Sequence, residues 1–354
     1  MRYPWSKEPV ARVPSKGMAI RGPVSGRGPR SGKDERQRTF RRHTCHGRRY
    51  WREYQLAGAD RRHDMDLITL LIMKRILITV AAALSAAALY AQDYHIVLWD
   101  NSSAPTSNGI TTPEVETKPG QVKNTSSAEM WIYKAGENAT GQAILFFPGG
   151  GYANLSMGNG HNEAKWFASI GVTAAVVKYR LPNGHPEVPG NDADEALRVM
   201  RSMSQELGID PHKVGVAGTS AGGYLAGTVG TISKVKPDFM ILFYPVISAD
   251  LDKRHAGTFN ELMGKEAAAT RASQDYSLEK RIDTTTPPTL LFHSDDDKIV
   301  PAENSAIFYA KLKEYGIKSS LHIFPSGGHG WGMSKKFKYH DEWQAAVVDW
   351  LKTL

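Results

Sequence analysis

The chain has 354 residues, 41% of them hydrophobic and 23% charged, which is enough apolar material for a globular core and excludes a collagen-like or wholly disordered protein. Its 44 Lys and Arg against 36 Asp and Glu leave a net charge of +8, a value that taken whole points to nucleic acid or an anionic surface. That reading fails once the charge is mapped: residues 1–72 hold 17 basic and 7 acidic side chains, and everything after them is net −2.

The single cysteine, Cys45, lies in the same basic stretch, so the rest of the chain forms no internal disulfide and no cysteine-based zinc site, and it tolerates an oxidising compartment. Residues 1–64 carry the pairs Arg41-Arg42, Arg48-Arg49 and Arg61-Arg62 among Gly and Pro, without sustained apolar periodicity. Such a segment lacks the material for a core, and it reads as a disordered or mis-assigned upstream leader rather than as an arm for nucleic acid. At Met73 the pattern changes. Lys74-Arg75 supply a positive start, Ile76 to Leu89 are apolar, and Leu89-Tyr90-Ala91 precede Gln92 as a cleavage site, the layout of a secretory signal peptide. The apolar run is shorter than the roughly 20 residues that span a bilayer, and no cysteine follows it for a lipid anchor. The expectation is a leader at 1–72 with the true start at Met73 or Met65, a signal peptide at 73–91, and one domain at 92–354 that is net −4. The protein would then be exported, to the periplasm or beyond the cell, with no membrane anchor after cleavage.

Within 92–354, Tyr94 to Trp99 and Met130 to Tyr133 are candidate edge strands. Gln142 to Phe147, Val172 to Tyr179, Val214 to Ala217, Phe239 to Tyr244, Thr289 to His293 and Ser320 to Phe324 are short apolar runs, several β-branched or aromatic, as buried parallel strands require. Helix-like stretches lie among them at Asp192 to Leu207, Ala221 to Thr231, Pro301 to Tyr315 and His340 to Leu351. This alternation predicts an α/β fold with a mostly parallel, doubly wound sheet and helices on both faces. The longest interruption, Val246 to Pro288, has a helix-like piece around Phe259 to Met263 and predicts a small cap over the strand ends, where such sheets bind ligands.

Directly after the Val214 to Ala217 strand comes Gly218-Thr219-Ser220-Ala221-Gly222, then a helix. A nucleophilic serine needs this setting: a strained strand-to-helix turn, small neighbours that let backbone approach, and helix N–H groups where an oxyanion forms. The loop Phe147-Pro148-Gly149-Gly150-Gly151-Tyr152 follows an earlier strand and offers a second set of backbone donors; the Lys-Ser/Thr ending of a phosphate-binding loop is missing. An acid and a histidine are expected later in the chain. Asp295, Asp296 and Asp297 follow the Thr289 to His293 strand, and because consecutive side chains diverge they do not make one metal site; one of them is the expected acid. His329 stands in Gly327-Gly328-His329-Gly330 after the last strand, whereas His293 and His322 fall within strands and read as core or surface residues. Tyr152, Tyr224 and Trp331 are candidates for stacking on a sugar ring, and His161 is near enough in sequence to the glycine loop to contact substrate.

Together these pieces resemble the α/β-hydrolase superfamily, and within it the secreted carbohydrate esterases, such as acetyl xylan esterases, that are similar to the hormone-sensitive-lipase group. The resemblance runs from about Met130 to Leu354. It rests on Pro148 to Tyr152, Tyr179-Arg180-Leu181-Pro182, Gly184-His185-Pro186, Asp192-Ala193 leading to Arg201, Gly218 to Gly223, Pro287-Pro288, Asp297 with Val300-Pro301 and Asn304-Ser305, and Gly328-His329-Gly330. It implies a triad of Ser220, Asp297 and His329, Asp297 being selected because in the family two residues separate the acid from a Val-Pro. Pro148 replaces the usual histidine before the glycines, and the implied oxyanion hole draws on the amides of Gly150, Gly151 and Ala221. The implied activity is ester hydrolysis on an acylated carbohydrate such as xylan, without metal or cofactor and without nucleic acid as a partner. Two other readings compete. One is a serine peptidase related to the prolyl oligopeptidases, which share this sheet and triad order but carry a propeller before it, for which the segment between Gln92 and the glycine loop is too short. The other is a non-catalytic carbohydrate-binding module on the same fold.

Overall fold

A computed structural model describes residues 93–250, 253–270 and 275–354. The expected leader and signal peptide lie outside the described residues. In chain order the strands are β1 (Tyr94–Asp100), β2 (Val115–Lys118), β3 (Gln121–Lys123), β4 (Ser127–Tyr133), β5 (Ala143–Phe147), β6 (Leu155–Ser156), β7 (Thr173–Lys178), β8 (Val214–Thr219), β9 (Met240–Phe243), β10 (Thr289–Ser294) and β11 (Ser319–Phe324). The helices are α1 (Met157–Ser169), α2 (Glu187–Ser202), α3 (Ser204–Leu207), α4 (Ala221–Thr231), α5 (Ala256–Met263), α6 (Lys265–Ala269), α7 (Glu303–Glu314) and α8 (His340–Leu351).

Eight strands form one sheet in the order β1-β4-β7-β5-β8-β9-β10-β11, antiparallel at β1/β4 and β4/β7 and parallel from there on. Every residue of β5, β7, β8, β9 and β10 is buried, so both faces of the central strands are covered and their middles are apolar on both faces rather than alternating, with polar residues such as Lys178, His293 and Ser294 near the ends. The register aligns the strand ends: Phe147 pairs with Gly218, Thr219 with Phe243, and Ser294 with Phe324. As a result the segments that follow β5, β8, β9, β10 and β11 all leave the sheet along one edge.

Three features depart from the expectations. β4 is not an edge strand; it lies between β1 and β7, and β1 takes the edge. A separate three-stranded antiparallel sheet, β2-β3-β6, was not foreseen. Nor was α1, whose opening Met157-Gly158-Asn159-Gly160-His161 is a poor helix former by propensity; it is helical because Met157, Ala164 and Phe167 are buried in the hydrophobic core. The stretch expected to make a cap contains α5 and α6. Beneath α2, Arg180 and Asp192 form a fully buried ion pair, Nη2 to Oδ1 2.6 Å, and the carboxylate also accepts from Trp99 Nε1 at 2.5 Å. Paired and saturated in this way, the two charges tie the end of β7 to α2.

Candidate active site

Ser220 is the single residue between β8 and α4, and its backbone sits at φ 54° and ψ −119°, a conformation that costs a non-glycine residue of order 1–3 kcal/mol. Neighbouring backbone holds it there. Ser220 N–H donates to Phe243 O at 3.0 Å, while Ser220 O accepts from Tyr224 and Val246 amides. The turn packs against the end of β5, and a Cβ on Gly222 would stand 2.1 Å from Phe147 O, so no larger residue fits.

His329, in the loop after β11, brings Nε2 to 2.9 Å from Ser220 Oγ and Nδ1 to 2.6 Å from Asp297 Oδ2. A carboxylate only accepts, so Nδ1 carries the proton and Nε2 is left to accept the serine hydroxyl. Asp297 is itself well supplied. Its Oδ1 accepts from the Ile299 and Val300 amides at 2.9 and 3.0 Å. Burial opposes its charge, but His293, His329 and the Val300 amide outweigh that and hold the carboxyl well below the usual carboxylate range.

Two supports of this arrangement were not read from the sequence. His293, expected as a core or surface residue of its strand, is fully buried and lies 3.4 Å from Asp297 Oδ2; its Nε2 also donates to Val300 O at 2.9 Å, and its Nδ1 meets Ser305 Oγ at 2.7 Å. Tyr244 follows β9 at φ 37°, its ring edge-on to that of His329 at 4.9 Å between centroids, and its hydroxyl accepts from Gly332 N–H at 3.2 Å. His293 had one available signal, its position four residues before Asp297 at the end of a strand. Tyr244 had none.

The glycine loop lies beside Ser220. Gly149 N–H is taken by Thr219 Oγ1 at 3.0 Å, whereas among the described residues the amides of Gly150, Gly151 and Ala221 have no protein acceptor. The first two line the cleft, and Ala221 opens α4, where amides are unpaired by helix geometry. Gly150 runs at φ 140° with Asn154 O 2.0 Å from where a Cβ would be, so a side chain is impossible there. The cleft has a volume of about 470 Å³; Asn159 of α1 and His255, Gly257 and Glu261 of the cap stretch form other parts of its wall.

The four expected substrate contacts are not in this cleft. Tyr152, Tyr224 and Trp331 are buried: Tyr152 packs edge-on to Tyr179 and Tyr224, the Tyr224 hydroxyl donates to Tyr276 O, and Trp331 stacks on Phe337 at 4.3 Å while donating Nε1 to Ser294 Oγ. Their rings fill the core below the site, where a sugar has no access. His161 bonds Tyr133 Oη at 2.7 Å and lines a different cavity, with Trp131 and Glu116. Burial, and secondarily Lys165, push its pKa down to about 4. Among the described residues no group of three His, Cys, Asp or Glu converges on a metal position.

A mostly parallel sheet with a serine on the strained turn after a central strand, and a histidine and an aspartate delivered from later strand ends, defines an α/β hydrolase. The chain belongs to the prolyl oligopeptidase family, whose family model matches residues 162–354. It is 37% identical to the acetylxylan esterase of Xylanibacter ruminicola over 224 residues, 62% of this chain and 47% of that protein. It is 29% identical to endo-1,4-beta-xylanase B of Butyrivibrio fibrisolvens, covering 57% of this chain and 34% of that one. The chain thus spans half or less of the length of these two curated relatives. A solved structure, the acetyl ester-xyloside bifunctional hydrolase of Caldicellulosiruptor lactoaceticus, aligns with a TM-score of 0.62 at 33% identity, over 75% of this chain and 97% of that one.

Proposed function

We propose that this protein is a serine esterase that removes acetyl groups from xylan-type polysaccharide, and that it is exported. The observation that carries the esterase reading is the contact of His329 Nε2 with Ser220 Oγ, backed by Asp297 on Nδ1. The names of the two curated relatives and of the solved structure support the substrate; the segment at 73–91 supports export.

In this reaction His329 Nε2 takes the Ser220 proton as Oγ attacks the ester carbonyl carbon. The resulting oxyanion is held by two of the amides of Gly150, Gly151 and Ala221, each such donor contributing about 3 kcal/mol. The C–O bond to the sugar breaks, His329 returns the proton to the departing sugar oxygen, and an acetyl-serine remains. Water, deprotonated by His329, then attacks the acetyl-serine; acetate leaves and Ser220 regains its proton. Asp297 keeps the imidazole in the tautomer this cycle needs and offsets its transient positive charge.

Membership of the prolyl oligopeptidase family makes peptidase activity the reading to test against. The deciding assay measures acetate release from acetylated xylan beside cleavage of a proline-containing chromogenic peptide. Acetate release without peptide cleavage is expected, and the reverse would overturn the proposal. Ser220→Ala should lower turnover of an aryl acetate by about 10⁵-fold or more while thermal unfolding stays unchanged; retained turnover would remove Ser220 as nucleophile.

A further inference from the structure

His255 caps the N-terminus of α5 and lines the same cleft as Ser220. Thr258 N–H donates to its Nδ1 at 3.2 Å, with the Thr258 hydroxyl 2.8 Å from the same nitrogen. A backbone N–H can only donate, so Nδ1 is an acceptor and the proton of the neutral ring sits on Nε2. Burial, with nearby His329 adding to it and Asp297 opposing it, lowers the basicity of this ring. Among the described residues Nε2 meets no protein acceptor. The cap stretch therefore holds an N–H donor beside the glycine loop: His255 Cε1 lies 3.8 Å from the place a Cβ on Gly151 would occupy. Glu261, exposed one helical turn beyond Gly257, adds a carboxylate acceptor to the same wall.

A simple alkyl or aryl leaving group has no hydroxyls to engage such a wall. A sugar has them next to the ester. We infer that His255 Nε2–H donates to a hydroxyl oxygen of the sugar ring that carries the scissile ester, so that the cap selects carbohydrate esters over simple alkyl and aryl esters. The inference rests on the esterase reading above and adds to it the residue that reads the leaving group.

The test compares kcat and KM of the wild type, His255→Asn and His255→Gln on 4-nitrophenyl acetate and on acetylated xylotriose. Asparagine is a favoured N-cap residue and can still accept from Thr258 N–H, but it is too short to reach the cleft, so α5 stays capped while the donor is lost. Glutamine carries an amide N–H out to about the distance of Nε2. His255→Asn should lose about tenfold in kcat/KM on the xylotriose ester, chiefly through KM, and less than about threefold on the aryl acetate; His255→Gln should recover at least about a third of the wild-type value. Equal losses on both esters, the result of a purely structural role, would overturn the inference, as would no loss on the sugar ester. A wild type active on the aryl acetate alone overturns it too but leaves the esterase reading standing. A wild type inactive on both esters removes the esterase reading and this inference with it.

Discussion

The loop after β10 and the inner side of α1 each bury a carboxyl group near Tyr244, and the two surroundings treat the carboxyl in opposite ways. Asp297, in the loop, receives two backbone amides and faces two imidazoles, and its acidity is strengthened despite burial. Glu163, on α1, is enclosed by Thr219, Phe243, Trp331 and Trp343, and among the described residues neither of its oxygens has a side-chain partner. Burial pushes its pKa up to about 8, opposed by its own backbone amide. Removal from water is common to both, so directed donors make the difference. The site keeps a negative charge where an imidazole must be oriented and a neutral acid behind the serine turn, where a charge would have nothing to hold it.

Replacing the charge in the first region should have the largest effect. Asp297→Asn retains the shape but lets an amide N–H face His329 Nδ1, favouring the wrong tautomer; kcat should fall about 10³–10⁴-fold with KM little changed. A loss below about tenfold would move the acid's role to Asp295 or Asp296.

The second region should show itself in stability. Because the folded pKa of Glu163 is raised, the unfolded chain gives up this proton first. Stability is full below the ordinary value of 4.5 and falls as pH rises toward about 8. Glu163→Gln removes that loss, so unfolding at pH 9 should be harder for the variant by on the order of 5 kcal/mol, with little difference at pH 4. Parallel stability-against-pH curves for the two proteins would show that Glu163 is not held neutral.

The smallest effect tests the outer support of Asp297. His293→Leu keeps the volume filled but removes the donor that faces Oδ2 at 3.4 Å. We expect kcat to fall about tenfold, KM to stay put, and the remaining activity to persist, because the two loop amides still hold the carboxylate. A KM change instead would mean that His293 shapes the cleft rather than positions Asp297.

Much of this was legible in the residue string because the relevant signals are local. A buried parallel strand is rich in apolar residues on both faces, and the runs ending at Phe147 and Phe243 stand out for that reason. Gly218 to Gly222 after such a run marks the serine turn, and His329 lies between glycines. The aromatic candidates show where local reasoning stops. Tyr152, Tyr224 and Trp331 are neighbours in sequence of the glycine loop, the serine and the histidine, yet adjacent residues point to different sides of a turn, and these three point into the core. The other histidine that lines the cleft beside His329, His255, comes from the middle of an irregular stretch with no pattern to single it out. Helix α1 was hidden because its first turn has weak helix propensity and its stability comes from packing.

The sequence by itself therefore determined the order of the parallel strands' signals, the serine turn, the glycine loop and the late histidine, since each depends on residue types within a few positions of one another. Tertiary structure alone decided which further ring stands in the cleft beside His329 and which carboxyl stays neutral. Those outcomes depend on groups far apart in the chain and on how much water their packing excludes.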